Sequence, residues 1–286
     1  MFYLEIKKKW IDPLSDAVHH LHESDGWAMA SHVAMSLMIA VFPLLIFTTA
    51  LSGFFSSDTD VKGIIQLVFD YWPDEIAEPI VREIGVVLQH RSAGFLTLSI
   101  VLALFFASNG IEAVRIALNR AYRDHDARSL LKQRLQSLIF VLVLAGLLYA
   151  LSVLLIFAPL YYFFEQVAST SIYHRFFQSG SIRLSAAFTL LAFVVLACHY
   201  WLPGHRRPVS AIWPGIVLTL VLWIVAAELF SLYLKFFSTY SATYAGLAGI
   251  MTALIFLYLM AVVLIFGAEY NSAREKLQFN ESLAEP

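Results

Sequence analysis

The stretch AGLAGIMTALIFLYLMAVVLIFGAEY, residues 245–270, decides the fold class. It is predominantly apolar, and its one charged residue, Glu269, stands next to its end. About 20 such residues in a helix cross the hydrocarbon core of a bilayer, and a helix satisfies its own backbone hydrogen bonds there. The stretch therefore predicts a membrane-spanning helix.

The same pattern recurs along the chain, which is 59% hydrophobic and only 14% charged. Soluble domains carry charge on about a quarter of their residues, so this composition indicates a membrane protein. The sequence predicts an all-α, polytopic fold: a bundle of six transmembrane helices. The spans are predicted near residues 28–54, 95–118, 135–157, 182–202, 211–237 and 245–270.

The distribution of basic residues predicts the orientation of these spans. Thirteen of the 19 Lys and Arg residues fall on the side that holds both chain ends, and such residues accumulate in cytoplasmic loops. We therefore expect a multi-pass protein of a bacterial inner membrane with both termini in the cytoplasm. The N-terminus lacks the pattern of a cleavable signal peptide, so we expect no cleavage.

This topology divides the chain into three regions. They are a cytoplasmic juxtamembrane segment (1–27), a membrane domain (28–271) and a cytoplasmic tail (272–286). Between the first two spans, residues 55–94 contain two apolar stripes at helical spacing. We expect them to form an outer cap of short amphipathic helices.

Composition and motifs argue against several functions. The net charge of −2 argues against a nucleic-acid partner. Cys198 is the single cysteine, which excludes an intramolecular disulfide and a cysteine-based zinc site. The string HHLHES (His19, His20, His22 and Glu23) is loosely like a metal motif, but a solvated juxtamembrane helix explains it better. We expect no metal, no cofactor and no enzymatic activity.

Polar residues inside the spans are the candidate functional residues, because ionisable groups in a bilayer usually face the bundle interior and have partners. In the second span, Asn109, Glu112, Arg115 and Asn119 share one helix face. Glu112 and Arg115 are spaced to pair with each other. Gly110 allows another helix to approach closely.

Further polar residues are predicted at a similar depth in other elements, and with the second span they predict a polar pocket facing the cytoplasm. They are His32, Arg206, Arg207, Glu269 and Asn271. One interpretation is an ion-pair network that fixes helix packing. A second is a binding site for an anionic head group or solute, since arginine binds phosphate and carboxylate. A third is a proton relay through His32.

Two residues in the apolar interior of the spans have their own interpretations. Glu228, near the middle of the fifth span, is either a protonated side chain bonded to a neighbouring helix or a site of proton or ion coupling. Pro43 removes a backbone hydrogen bond near the midpoint of the first span, so we expect a kink there. Such a kink serves either alternating access or the shape of the bundle.

Four blocks in order resemble the YihY/BrkB family of bacterial inner-membrane proteins, to which the label ribonuclease BN was once wrongly applied. The blocks are SHVAMSLMIAVFPLL (31–45), ASNGIEAVRIALNRAY (107–122), LPGHRRPVSAIWPG (202–215) and the stretch 238–273, which ends in IFGAEYNSA. The resemblance implies a location in the inner membrane, with links to virulence and to lipid handling. It does not define a chemistry.

Together, residues and resemblance favour a transporter or flippase-like protein for an anionic amphipathic substrate such as a lipid. The alternative is a structural or scaffolding envelope protein that acts through its outer-side helices. The expected partners are membrane lipids and the anionic lipid or solute itself. A homo-oligomer or an envelope partner is also compatible with the sequence.

Overall fold

A computed structural model of the chain describes residues 12–55, 93–164, 180–237 and 247–284. Within these ranges the fold is all-helical, and no strand is present. The helices are α1 (Asp12–Glu23), α2 (Gly26–Phe55), α3 (Ala93–Ala121), α4 (Leu130–Phe164), α5 (Gly180–Trp201), α6 (Val209–Phe237) and α7 (Leu247–Ala284).

Each predicted span corresponds to one of the six long helices α2 to α7. Four spans lie within their helix, and the other two extend past one end of it by two residues or fewer. Four described segments are long and apolar enough to cross a membrane: Ile100–Ala121, Leu130–Leu147, Val209–Leu234 and Gly249–Asn280. Shorter apolar segments lie at Gly26–Val41 and Ala187–Trp201. The polytopic helical fold is confirmed, while the number of six crossings stays a prediction. Nearly all of the predicted outer cap, 55–94, lies outside the described residues.

The helices pack into one bundle around α7. This helix contacts α1, α2, α3 and α6, while α2 packs along α3, α4 packs on α3, and α5 packs on α6. The buried face of α2 carries Ala30, Val33 and Ala34, and that of α3 carries Ala113 and Ala117. Small side chains let helix backbones approach closely, which is how helices associate in a bilayer.

Large apolar side chains lie on the outside of the bundle. Val101 and Phe105 of α3 and Val221 and Ile224 of α6 are exposed. In water such a surface would be costly, but in a bilayer it contacts acyl chains. The exterior therefore fits the membrane location that the composition indicates.

Helices α6 and α7 approach most tightly at two glycines. A Cβ atom at Gly215 would overlap the carbonyl oxygen of Gly267, and a Cβ at Gly267 would overlap the Thr219 hydroxyl. A similar contact brings α2 onto α3, where a Cβ at Gly110 would lie 2.9 Å from the Leu37 side chain. The close approach predicted at Gly110 is thus confirmed.

Helix α1, the first helix of the described chain, packs on the last helix, α7. The apolar face of α1, with Ala17 and Leu21 buried, makes this contact. A short turn then leads into α2, and Asp25 in this turn has a left-handed backbone (φ 53°), a conformation that Asp tolerates better than most residues. Helix α7 continues through the segment that was predicted as a tail, as far as Ala284.

Candidate functional site

Most of the charged contacts of the described chain gather at one end of the bundle. We call this the polar end. It comprises α1, the part of α7 around residues 269–276, and two turns with the helix ends that flank them. These are the turn 122–129 with α3 from residue 109 onward and the start of α4, and the turn 202–208 with the end of α5 and the start of α6. Three neighbouring groups of contacts lie there, each named for the residue at its centre.

The turn after α3 reverses the chain and places the side chains of Asp124 and Asp126 against the end of the bundle. The N–H of Asp124 donates to the Asn119 carbonyl and that of Arg123 donates to the Arg120 carbonyl, which is a Schellman helix end. The residue at its left-handed position, usually glycine, is Arg123 (φ 60°). A non-glycine residue costs about 1 kcal/mol there, and the Arg123 side chain makes a contact that glycine could not make. It donates to Asp16 of α1 at 2.6 Å.

Asp126 is the centre of the first group, the Asp126 cluster. Its carboxylate accepts hydrogen bonds from Arg115 at 2.5 Å, from Asn119 at 3.3 Å, and from the Arg128 guanidinium at 2.7 and 2.8 Å. Arg128 also donates to the carbonyl of Leu202, and the Gly204 N–H donates to Asn119. One carboxylate thus connects α3 with both turns of the polar end.

Arg115 is the buried cation of this cluster, with 3% of its surface exposed. Besides Asp126, its guanidinium donates to Glu112 at 3.3 Å and to Gln133 of α4 at 3.1 Å. Its Nε has no hydrogen-bond partner in the described structure. Arg134 of α4 donates to the other Glu112 oxygen at 3.0 Å and to Asn109. The predicted pairing of Glu112 with Arg115 is therefore confirmed, and α4 extends it.

The partners of Asp126 keep it ionised. Hydrogen bonds from Arg128, with Arg115 adding to them, hold the pKa of Asp126 well below its usual range, although burial acts in the opposite direction. A carboxylate with two arginine partners stays charged throughout the physiological pH range. The Asp126 cluster is therefore a permanent ionic contact.

Asn271 is the centre of the second group, the Asn271 cluster, which is uncharged and fully buried. Its side chain accepts from the Gly215 N–H at 2.7 Å and donates to the Ile212 carbonyl at 2.8 Å and to the Tyr122 hydroxyl at 3.1 Å. The Tyr122 oxygen also lies 2.7 Å from Nδ1 of His199. Four helices or their ends, α3, α5, α6 and α7, thus meet at one amide. Burial raises the pKa of Tyr122, so its hydroxyl keeps its proton.

Arg207 covers the Asn271 cluster from the α5–α6 turn. Its guanidinium binds both oxygens of Asp124, at 2.7 and 2.9 Å, and its Nε donates to Glu275 at 2.6 Å. The guanidinium carbon lies 4.3 Å from the centre of the Tyr122 ring, a cation–π contact. Arg207 thus binds groups from the turn after α3 and from α7 at once.

Glu269 is the centre of the third group, the Glu269 site. Its side chain is fully buried (0% exposed), and one carboxylate oxygen lies 2.7 Å from Nδ1 of His20. The other oxygen accepts from the Ser24 hydroxyl at 3.3 Å. Both partners come from the α1 segment, so this contact joins residues that are 249 positions apart in the sequence.

The structure divides the predicted site residues into two sets. It brings the following into the polar end: Asn109, Glu112, Arg115, Asn119, Arg207, Glu269 and Asn271. It leaves His32, Arg206 and Glu228 on exposed surface.

Helix geometry explains the exposed positions. His32 adjoins Val33 and Ala34, which form the buried face of α2. Glu228 stands two residues after the buried Ala226, about 200° around the helix. Neither side chain is therefore directed into the bundle. Pro43 is buried within α2, which continues through it.

The structure adds residues to the polar end that the sequence did not indicate as site residues. They are His20, Tyr122, Asp124, Asp126, Arg128, Gln133, Arg134 and His199. The signal for Asp124 and Asp126 was two acids within an otherwise basic connection, and that for His199 was an imidazole at the end of an apolar run. Among the described residues, no group of His, Cys, Asp or Glu is arranged to hold a metal ion.

Comparisons with known proteins identify relatives over nearly the whole chain. A family model described as "Virulence factor BrkB" matches residues 17–286. The ribonuclease-like protein YfkH of Bacillus subtilis is 29% identical over 90% of this chain and 92% of its own. A UPF0761 membrane protein of Pseudoalteromonas atlantica is 24% identical over 93% of this chain and 86% of its own. One from Rhodospirillum centenum is 26% identical over 90% of this chain but 56% of its own. No solved structure matches.

Proposed function

We propose that this chain, which belongs to the virulence factor BrkB family of membrane proteins, is a transporter or flippase-like protein. Its substrate in this proposal is an anionic amphipathic molecule such as a lipid. The polar end is then the site where the anionic head group binds. The apolar helix surfaces accommodate the acyl chains. This is a binding and translocation function, and it requires no enzymatic step.

The observation that carries this proposal is the state of Arg115. A guanidinium at 3% exposure is held by Asp126 and Glu112, while its Nε has no partner in the described structure. Buried charges in membrane helices are costly and commonly mark substrate or ion routes. A phosphate or carboxylate head group offers Arg115 the same acceptor chemistry as the chain's own acids.

The arrangement of the Asp126 cluster suits a closed gate. Arg115 and Arg128 tie α3 to the turns after α3 and α5 through a single carboxylate. An entering anion would replace Asp126 or Glu112 as the partner of Arg115. The two turns would then separate from α3 without leaving the arginine unpaired, which is the condition for opening at low energetic cost.

The orientation of the protein belongs to the same proposal. We infer six crossings of a bacterial inner membrane, with the polar end and both termini in the cytoplasm. The support is the concentration of Lys and Arg in the segments that form the polar end, since cytoplasmic loops collect basic residues. Membrane lipids surround the remaining helix surface.

Lipid movement in reconstituted vesicles tests the proposal. The protein would be placed in phosphatidylcholine vesicles with a trace of fluorescent phosphatidylglycerol, and loss of inner-leaflet fluorescence to a membrane-impermeant quencher would be followed. We expect faster loss than in protein-free vesicles, and slower movement of a fluorescent phosphatidylcholine. Equal rates with and without the protein would contradict the function.

Two variants in the cluster and one control variant separate a binding role of Arg115 from a structural one. Arg115→Gln should slow movement of the anionic lipid at least tenfold, whereas Arg120→Gln, an exposed arginine on the same helix paired with Asp25, should leave it unchanged. Glu112→Gln removes one internal competitor for Arg115 and should accelerate movement or tighten binding of the anionic lipid. A purely structural cluster would show loss in both cluster variants.

A second candidate function is the structural or scaffolding one. The observation that favours it is Arg207, which is engaged by Asp124, Glu275 and the Tyr122 ring. Groups paired in this way are typical of rigid packing. Under this alternative, deletion of residues 59–92 abolishes the scaffolding function in cells, whereas the Arg115 and Glu112 variants change only the stability of the protein.

A further inference from the structure

Three carboxylates at the polar end have 10% or less of their side-chain surface exposed, and Glu269 differs from the other two in its partner. Asp126 is paired with Arg115 and Arg128, and Asp124 is paired with Arg207. Arginine does not lose its charge in proteins. Glu269 is paired with His20, and histidine gains or loses its charge near neutral pH.

We propose that His20 and Glu269 form a proton-binding site, which holds one proton while α1 is docked on α7 and releases it when α1 leaves. The inference concerns the docking of α1 and does not require that the protein moves lipids. It also assigns proton binding to residues other than His32 and Glu228, whose side chains are exposed.

The burial of Glu269 favours a site that holds one titrating proton. At 2.7 Å, Nδ1 of His20 and Oε2 of Glu269 share a hydrogen bond that requires a proton between them. It is present whether the pair is imidazole with carboxylic acid or imidazolium with carboxylate. A neutral imidazole that donates its own Nδ1–H to an ionised carboxylate would make the same hydrogen bond, but it would leave a net negative charge with no exposed surface and only a histidine and a serine as side-chain partners, which is costly in a buried site.

The surrounding groups are two acids and two bases, so the protonation of His20 and Glu269 sets the net charge of the site. From α1, Asp16 and Glu23 face it, and Arg123 and Lys276 face it from the α3–α4 turn and from α7. Arg123 and Lys276 both bind Asp16, at 2.6 and 3.1 Å. Burial lowers the pKa of His20, and Arg123 acts in the same direction, which disfavours a second proton.

Counting protons gives the direction of the pH dependence. An undocked pair in water would carry one proton between about pH 4.3 and about pH 6.5, the ordinary pKa values of Glu and His. The docked pair keeps its proton above that range. Docking is therefore tightest in mildly acidic solution and weakens as the pH rises above about 6.5, by up to about tenfold per pH unit.

Release of α1 would also change the partners of two cations at the polar end. Asp16 leaves with the helix, so Arg123 and Lys276 lose the carboxylate that both of them bind. Two cations would then become available beside the turn that carries Asp126. Because proton release leaves a negative charge on Glu269 while the charge of Asp16 moves away, the net charge of these residues is unchanged, and the change is that two cations lose their direct carboxylate partner.

Electron paramagnetic resonance on the full chain in lipid nanodiscs tests the inference. Spin labels would be placed by Val18→Cys on α1 and Gln278→Cys on α7, both exposed positions, in a Cys198→Ala background. We expect one short distance near pH 6 and a growing longer distance towards pH 9. A distance that is the same across this range would overturn the proposal.

Matched variants identify the titrating pair. Glu269→Gln imitates the protonated acid and should hold α1 docked at every pH, whereas Glu23→Gln should leave the pH response intact. Glu23 forms an exposed His–Glu pair with His19 on the same helix, at 3.2 Å. If Glu269→Gln does not fold, the imidazole of His20 can be titrated in the native chain by NMR. A pH response that Glu23→Gln removes, or that Glu269→Gln retains, would overturn the assignment.

Discussion

The Asp126 cluster and the Glu269 site each hold a carboxylate with little exposed surface at the same end of the bundle, yet the two carboxylates have different partners. Asp126 has two arginines from its own segment of chain, whereas Glu269 has a histidine and a serine from the distant α1 segment. The first contact is ionic at any physiological pH, and the second depends on one proton. The identity of the partner therefore determines whether the contact of an acid is the same at every physiological pH or changes with pH.

Removing the charge of Asp126 should have the largest effect. Asp126→Asn leaves Arg115 buried with one half-buried carboxylate, and breaking a buried pair costs about 3–5 kcal/mol. We expect a loss of that order in the free energy of unfolding, measured by SDS titration in detergent micelles. Asp25→Asn, at an exposed pair, should change it by less than about 1 kcal/mol. Equal losses in the two variants would remove the distinction between them.

The uncharged Asn271 cluster is an intermediate case. Asn271→Ala removes hydrogen bonds to the Gly215 N–H, the Ile212 carbonyl and the Tyr122 hydroxyl. Leaving buried partners unsatisfied costs about 1–3 kcal/mol per group, and the α6 end would relax to recover part of it. We expect a loss of about 2–3 kcal/mol that does not vary with pH between about 6 and 9. Native stability in this variant would show that the amide is not a packing centre.

The pH dependence of stability should separate the two buried acids. The pKa of Asp126 is held low by Arg128, so its contribution is fully present above about pH 4 and is lost only as the pH falls below that value. The Glu269 site should weaken as the pH rises above about 6.5, by at most about 1.4 kcal/mol per unit. Thermal unfolding of wild type and Glu269→Gln at about pH 6 and 9 measures this. Parallel curves would contradict the difference.

The smallest effect is expected at Arg123, which serves α1 docking through Asp16. Arg123→Gly relieves a left-handed backbone, worth about 1 kcal/mol, but removes a partly exposed ion pair worth up to about 1 kcal/mol. The free energy of unfolding should therefore stay within about 1 kcal/mol of wild type. The docked fraction of α1 near neutral pH should fall all the same, which spin-label distances would detect.

The fold could be predicted well because it depends on long apolar runs. The predicted spans match helices α2 to α7, and the polar face of α3 with Glu112 and Arg115 follows from helical spacing alone. Periodicity within one helix is a local property, so no knowledge of neighbouring helices is required.

The rest of the polar end depends on contacts between distant segments. The sequence places His32 and Glu269 near the same membrane surface, but the rotation of each helix decides that Glu269 is buried and His32 is exposed. Asp126 binds α3 because the left-handed backbone at Arg123 turns the chain back. Arginine is not a residue type that predicts such a turn. Single-sequence patterns carry little of this information.

The most direct test of the proposed gate uses the chain's single cysteine. Cys198 is buried at 7% exposure beside His199 in α5, so a membrane-impermeant thiol reagent should label it slowly while the polar end is closed. In vesicles we expect labelling from the polar-end side to accelerate several-fold when phosphatidylglycerol replaces phosphatidylcholine, and to be fast in Asp126→Asn. Labelling that is equally slow in both lipids and in the variant would contradict a gate at this end of the bundle.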